Sequence, residues 1–171
     1  MKRWMILLAA AAVVLPGCNT ASTSAPQILQ NAQIAPRAIL FLDDPAAHTA
    51  RLDRFLLSHP RATEMEKIHF LLESVRTSPY HFIRNKSDYN GEDAMRWLRW
   101  KMGHRQYASH PILTARDLVE RVADRSLKTG EIYQAVLPDG RRVPLQEIMR
   151  SELSALDRSL EGLSSAAQHA R

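Results

Sequence analysis

The sequence predicts a predominantly helical α+β domain, with about five helices and a small β-hairpin. Apolar residues recur at helical spacing in several segments between residues 45 and 160, and capping residues precede some of these segments. One strong turn signal, Asp139-Gly140, separates two short strand-like runs. The sequence shows no internal repeat. These observations together favour one folded domain.

The first two helices are indicated by their ends. Asp44-Pro45 places a capping carboxylate before a proline at the first helical position, and Ser58-His59-Pro60 ends this helix. Thr63 and Glu66 have the spacing of a capping box, which opens the second helix. Its apolar face follows the i, i+3, i+4, i+7 pattern at Ile68, Leu71, Leu72 and Val75.

The rest of the domain alternates strands and helices. Residues 80–84 are predicted to form a short extended segment after Ser78-Pro79. The third and fourth helices are predicted at residues 90–105 and 114–123. Residues 132–137 and 141–143 flank the hairpin turn, and Pro144 then opens a long fifth helix. The apolar face of that helix comprises Leu145, Ile148, Met149, Leu153, Leu156 and Leu160.

The first eighteen residues are typical of a bacterial lipoprotein signal peptide. Lys2-Arg3 precedes an apolar run, and Leu15-Pro16-Gly17-Cys18 has the form of a lipobox that ends at the lipid-accepting cysteine. The apolar run is short for a membrane-spanning helix. Two alternatives remain open, namely cleavage elsewhere to release a soluble protein and retention as an uncleaved anchor. Asn19, where Asp would retain such a protein in the inner membrane, favours the outer membrane, facing the periplasm.

We therefore expect four segments in the chain. Residues 1–17 are predicted to be the signal peptide, and residues 18–33 the lipidated cysteine with a flexible tether rich in small and polar residues. Residues 34–163 are predicted to form a single globular domain, and residues 164–171 a frayed tail. Palmitate or a similar acyl group on Cys18 would anchor the protein to its membrane.

Charge and cysteine content narrow the classes of function. The chain has 23 Lys and Arg against 18 Asp and Glu, and removal of the signal peptide leaves 21 against 18. This mild basic excess argues against a protein that binds nucleic acid. Because Cys18 is the single cysteine, the mature domain has no disulfide and no thiolate zinc site.

Catalytic and metal-binding motifs are missing from the sequence. The seven histidines form no His-x-x-x-His pair or tight cluster with carboxylates, so neither a metal site nor a cofactor is predicted. Lys128-Thr129-Gly130 is similar to a triplet of penicillin-binding enzymes, but their Ser-x-x-Lys motif does not occur. The triplet is therefore interpreted as a chance match.

A string of landmarks runs from Glu66 to about Leu156. The residues concerned are Ile68, Leu71, Leu72, Ser78, Phe82-Ile83-Arg84-Asn85, Tyr89, Ala94, Leu98, Lys101, Ile112, Thr114-Ala115, Ala123, Ser126, Gly130, Tyr133 and Asp139-Gly140. Their order and spacing resemble a family of small exported bacterial proteins catalogued as a domain of unknown function, DUF5329. Three positions depart from that pattern: Lys86 stands in place of Gly, Trp97 in place of His, and Thr129 in place of Ser. The resemblance implies an exported single domain and supplies no reaction.

A candidate anion-binding cleft is predicted around Arg84, whose forked guanidinium suits a carboxylate or a phosphate. Such a group could belong to a peptide C-terminus, a glycan or a lipid. The alternative is that Arg84 pairs with a structural carboxylate, Asp88 or Asp93, while Asn85 caps a turn. The candidate ligand-binding residues are Arg84, Asn85, Tyr89, Lys101, Ser126, Gly130 and Tyr133.

The third predicted helix is basic and aromatic. Trp97 and Trp100 lie about 60° apart on a helical wheel, so one ring can be buried while the other is exposed. They accompany Arg96, Arg99, Lys101 and Arg105. One interpretation places this surface against anionic lipid or a glycan. The other packs both rings on the domain and leaves the arginines in solvent.

The sequence as a whole predicts a membrane-anchored binding or accessory module of the bacterial cell envelope. Its predicted partners are the membrane, through Cys18, and an envelope protein, peptidoglycan or anionic lipid. No motif assembles a nucleophile, a base and an orienting group, so catalysis is not predicted. The alternative is a small envelope enzyme acting on peptidoglycan or lipid, with Glu92 or Asp93 as its acid or base.

Overall fold

The computed structural model describes residues 40–169. The predicted signal peptide, the lipidated Cys18 and the flexible tether lie outside the described residues. None of the described helices is both long enough and apolar enough to span a membrane.

Five helices and four short strands make up the described part of the chain, which confirms the predominantly helical α+β class. In chain order they are α1 (Pro45–Ser58), α2 (Glu64–Thr77), β1 (His81–Arg84), β2 (Ser87–Tyr89), α3 (Gly91–Met102), α4 (Ala115–Asp117), β3 (Gln134–Val136), β4 (Arg142–Pro144) and α5 (Leu145–His169). A 3-10 turn at Arg105–Tyr107 follows α3, and α4 continues directly into a π-helical turn at Leu118–Val122.

The predicted helix caps are confirmed. The Asp44 carboxylate accepts hydrogen bonds from the amides of Ala46 and Ala47 at the start of α1. Thr63 and Glu66 form the reciprocal capping box of α2. These caps satisfy amide groups that have no acceptor within their own helix.

The fourth predicted helix changes its hydrogen-bonding pattern partway along. Its first turn is α-helical and is capped by Thr114, but the amide of Ala123 then donates to the carbonyl of Leu118, at a spacing of five residues. At the end of the chain, residues 164–169, where the sequence predicts a tail, form the exposed last turns of α5.

The strands form one antiparallel sheet with the order β2-β1-β3-β4. The predicted hairpin is confirmed as β3 and β4. The amide of Gly140 donates to the carbonyl of Leu137, and Gly140 adopts a φ of 81°. The hairpin of β1 and β2 was not predicted, because β2 has three residues and an exposed, polar character.

The turn between β1 and β2 places a lysine in left-handed backbone. Arg84 pairs with Ser87, so Asn85 and Lys86 alone form the loop, with φ values of 50° and 66°. Two positive φ values define a type I′ turn, whose second position strongly favours glycine. Lys86 is the position where the resemblance led us to expect Gly, and the turn forms despite the lysine.

The core lies between one face of the sheet and the helices. Phe82, Tyr133 and Ala135 are buried on that face, against apolar residues of α2, α3, α5 and the π-helical turn. At the start of α3, a Cβ atom on Gly91 would lie 2.4 Å from the carbonyl oxygen of Val75. Only glycine therefore lets α3 begin directly against the end of α2.

A buried carboxylate joins the segment before α1 to α5. Glu152 is fully buried, and its Oε1 accepts hydrogen bonds from the amide of Leu42 at 2.8 Å and from Nη2 of Arg51 at 3.1 Å. Its Oε2 lies 2.9 Å from Nδ1 of His48, whose ring stacks on Phe41. One signal for this carboxylate is visible in the sequence, since Glu152 occupies an inward position of the apolar pattern of α5.

Substitution Lys86→Gly is expected to stabilise the protein by about 0.5–1 kcal/mol. Left-handed backbone costs a residue with a Cβ about 1–2 kcal/mol, and part of this gain is offset by the greater entropy of glycine in the unfolded chain. Urea unfolding of the purified protein measures the change. Lys86→Ala is the matched control, since it removes the same charge but keeps the Cβ. An equal gain in both variants would contradict the strained turn.

Candidate functional site

The ammonium of Lys101 is bound inside the protein. The residue is 1% exposed, and its Nζ donates to the carbonyl oxygens of Arg125 at 2.6 Å, Val122 at 2.7 Å and Arg121 at 3.3 Å. These carbonyls lie in and just after the π-helical turn, where a helix end leaves acceptors without intrahelical donors. Lys101 is thus engaged by internal acceptors, and its predicted ligand-binding role stays a prediction.

Burial lowers the pKa of Lys101 to about 8, because the protein interior disfavours the charged form. The nearby carboxylate of Asp124 acts in the opposite direction, while the guanidinium groups of Arg84 and Arg125 lower the pKa further. Lys101 is thus an ammonium at neutral pH and loses its proton within the mildly alkaline range.

Tyr133 is the second buried member of the predicted set. Its ring is 1% exposed, lies 4.4 Å from the ring of Trp97, and has Nζ of Lys101 5.0 Å from its centroid. Burial raises the pKa of Tyr133, while the Arg84 guanidinium and the Ser126 hydroxyl act to lower it. Tyr133 therefore links the cations to the core and lies beneath the surface.

Arg84 lies above this layer and is half-buried. Its Cζ is 5.5 Å from the centroid of the Trp97 ring. Among residues 40–169, no carboxylate lies within 4.0 Å of the guanidinium. The two carboxylates of the structural alternative are engaged elsewhere, since Asp88 pairs with His81 and Asp93 with Arg96, each at 2.8 Å.

Two buried N–H groups at this position have no hydrogen-bond acceptor within the described residues. They are Nε of Arg84 and Nε1 of Trp97. Buried donors are almost always paired, so an unpaired donor beside an unpaired cation is unusual in a folded protein. Both donors, and the charge of the guanidinium, favour an anionic acceptor.

The turn after β1 contacts the loop between the π-helical turn and β3. The carboxamide Oδ1 of Asn85 accepts a hydrogen bond of 2.6 Å from the hydroxyl of Thr129. Within that loop, the buried Ser126 hydroxyl accepts from the amides of Lys128 and Thr129, at 3.2 and 3.4 Å. Gly130 adopts a φ of 72°, which suits glycine.

The structure thus divides the predicted residues into groups. Arg84, Asn85 and Gly130 belong to a surface edge formed by the β1–β2 turn and the loop of residues 126–130, which we call the Arg84 edge. Lys101, Tyr133 and Ser126 form a buried layer, and of these Tyr133 directly supports Arg84. Tyr89 pairs with Phe82 and packs against the core.

The Arg84 edge is also cationic. Lys86 and Lys128 are exposed, and neither forms an ion pair within the part of the chain that is described. Their positive charges add to that of Arg84, and no carboxylate of residues 40–169 lies within 4.0 Å of these three cationic groups. This arrangement can attract and hold a carboxylate or a phosphate.

A metal site or an acid–base enzyme would need other side chains, whose positions are as follows. Within residues 40–169, no three His, Cys, Asp or Glu side chains are grouped to hold a metal ion. Glu92 and Asp93, the proposed acid or base of an envelope enzyme, lie on α3 beside arginines. Glu92 is 3.6 Å from Nη1 of Arg76, and Asp93 pairs with Arg96.

Comparison with known proteins identifies one family. The sequence model of a family of unknown function, DUF5329, matches residues 62–157, which is more than half of the chain. The chain belongs to this family. No curated protein and no solved structure matches it significantly. The matched region contains the whole Arg84 edge and the buried layer beneath it.

Substitution Lys101→Met is expected to lower the free energy of unfolding by about 2–4 kcal/mol, because three buried carbonyls lose their donor. Urea unfolding at pH 7 measures this loss. Lys128→Met is the control, since Lys128 is exposed and the same change there is expected to stay within about 0.5 kcal/mol.

The lowered pKa of Lys101 is tested by the pH dependence of the difference in unfolding free energy between the wild type and Lys101→Met. The pKa of Lys101 is about 8 in the folded protein and near 10.5 when unfolded, so the unfolded state binds more protons between these values. The stability of the wild type should therefore rise from about pH 8 to pH 9.5 relative to Lys101→Met. A constant difference across this range would contradict the lowered pKa.

Proposed function

We propose that this member of the DUF5329 family is a lipid-anchored module of the bacterial cell envelope, facing the periplasm, that binds an anionic group through Arg84. The N-terminal pattern that ends at Cys18 supports the location. The unpaired guanidinium of Arg84 supports the binding activity and is the observation on which the proposal chiefly rests.

Arg84 is suited to a ligand because its environment fixes it without neutralising it. The Trp97 ring supports one face of the guanidinium, and the strand backbone fixes the base of the side chain. A half-buried cation with an unsatisfied N–H gains more from an anion than a solvated cation does. Carboxylate and phosphate both match the planar fork of arginine.

The ligand classes follow from this chemistry and from the proposed location. Peptidoglycan peptides present free carboxylates, anionic lipids present phosphates, and an envelope protein can present either an acidic side chain or a C-terminus. Each can bind at the Arg84 edge with its charge toward Arg84, Lys86 and Lys128. Binding without catalysis is favoured, since Glu92 and Asp93 are paired with arginines outside any buried cleft.

Substitution Arg84→Gln is expected to weaken anion binding by about tenfold or more, because one charge-assisted contact is worth about 1.5–3 kcal/mol. Calorimetric titration of the detergent-solubilised full chain with inorganic phosphate and with a purified muropeptide measures this effect. Arg84→Lys should retain part of the affinity, since an ammonium keeps the charge but cannot form the bidentate contact.

Arg142→Gln is the matched control. Arg142 is exposed on β4, so this substitution removes the same charge at a position outside the Arg84 edge. Equal affinities for Arg84→Gln and the wild type would overturn the binding proposal. Lowered thermal stability with unchanged affinity would make Arg84 structural. Turnover of the muropeptide or of phospholipid by the purified protein would favour the enzyme alternative.

The anchor is tested separately in cells. Metabolic labelling with palmitate should label the wild type and leave Cys18→Ser unlabelled, and the labelled protein should sediment with the outer membrane. Cross-linking of the native protein, followed by mass spectrometry, then identifies the bound component. Palmitate labelling that persists in Cys18→Ser would contradict the lipobox assignment.

A further inference from the structure

A cavity elsewhere in the domain shares no lining residue with the Arg84 edge. It is a groove of about 640 Å³ between α1, α2 and α3. Its floor is apolar and consists of Phe55, Phe70, Leu72 and Met95. Polar and charged side chains surround this floor: Arg51, Arg54, His59, Glu66, His69, Glu73, Arg76 and Arg99.

The carboxylates around this α1–α2–α3 groove are already engaged. Glu66 accepts hydrogen bonds from the backbone and hydroxyl of Thr63. Glu73 accepts from Nε of Arg76 at 2.7 Å. Glu73 is therefore paired with Arg76, whereas Glu66 keeps its negative charge, and the groove carries four arginines against two glutamates.

Two of the four arginines remain unpaired. Arg51 is held by Asp43 and Glu152, and Arg76 by Glu73. Arg54 on α1 and Arg99 on α3 are exposed, and neither has an ion pair within residues 40–169. The groove thus combines an apolar floor with a permanent positive charge on each of two flanking helices.

We propose that the α1–α2–α3 groove binds a single-chain anionic amphiphile, with its acyl chain on the apolar floor and its carboxylate or phosphate at Arg54 or Arg99. A cavity of this size lies within the range of small-molecule sites, which are lined mostly by apolar groups with a few polar ones. Charge complementarity selects the anionic headgroup, and a free fatty acid and a lysophospholipid share this chemistry.

The small exposed area of the floor favours an acyl chain over an amphipathic helix of a partner protein. Phe70, Leu72 and Met95 expose only 4%, 3% and 9% of their surfaces. A docking helix needs pockets for several bulky anchor residues spaced along its length. A small exposed apolar area instead suits one flexible chain.

The test uses the full chain reconstituted in phosphatidylcholine vesicles, with a lauroyl lysophosphatidylglycerol probe that carries a diazirine in its acyl chain. Mass spectrometry maps the cross-linked residues. We expect cross-links at Phe55, Phe70 or Met95. Unlabelled lysophosphatidylglycerol or dodecanoate should suppress them, whereas zwitterionic lysophosphatidylcholine should not. Comparison of the two anionic competitors distinguishes the phosphate source from the carboxylate source.

Two variants test separately the contacts of the anionic headgroup and the space for the acyl chain. Arg54→Gln/Arg99→Gln should reduce cross-linking by about tenfold, since both charge-assisted contacts are lost. Arg116→Gln/Arg142→Gln, which removes two exposed charges outside the groove, should leave it unchanged. Ser58→Trp, which fills the groove from the exposed end of α1, should abolish it. Circular dichroism confirms that each variant is folded.

Several results would overturn the inference. These are wild-type cross-linking in Arg54→Gln/Arg99→Gln, equal suppression by the zwitterionic competitor, or cross-links outside the groove. Suppression by an acidic amphipathic peptide alone would make the occupant a protein, and concentration-dependent dimers lost in Arg54→Gln/Arg99→Gln would make it a second copy. Because Arg84→Gln should leave this cross-linking intact, the result is independent of the Arg84 proposal.

Discussion

The buried ammonium of Lys101 holds together parts of the fold that are distant in sequence. It extends from α3 to three carbonyls around the end of the π-helical turn, and it lies against the ring of Tyr133 just before β3. A neutral apolar side chain would leave those carbonyls without donors, whereas an ammonium offers three. The helical layer and the sheet therefore meet at a cation.

That cation also affects the surface above it. Arg84 lies on Trp97, Lys101 lies on Tyr133, and the two aromatic rings contact each other. Repulsion from the Arg84 guanidinium lowers the pKa of the Lys101 ammonium. An anion bound to Arg84 would offset this repulsion. Occupancy of the Arg84 edge is therefore coupled electrostatically to the buried ammonium of Lys101. Trp97, where the resemblance led us to expect His, provides the support for Arg84.

Local signals in the sequence predicted local structure well. The caps at Asp44 and Thr63 depend on neighbouring residues, and they begin their helices where expected. The β1–β2 hairpin was missed because its turn contains Lys86 instead of the glycine that marks such turns. For the tryptophans two interpretations were open, and the structure buries Trp97, at 7% exposure, but leaves Trp100 56% exposed, so the interpretation that packs both rings on the domain is wrong for Trp100. For the site, the sequence placed Arg84 and Asn85 near the loop of residues 126–130, but the burial of Lys101 depends on carbonyls twenty or more residues away.

The attachment of the domain's first residues has a mechanical consequence. The amide of Leu42 donates to the buried Glu152 in the first third of α5, and Arg51 on α1 binds the same carboxylate. Any load carried by the chain that precedes residue 40 enters the domain at this carboxylate, inside the core and spread over two helices. When the domain is pulled from its N-terminal side, the buried hydrogen bonds of Glu152 with Leu42 and Arg51 would thus be loaded before any strand of the sheet.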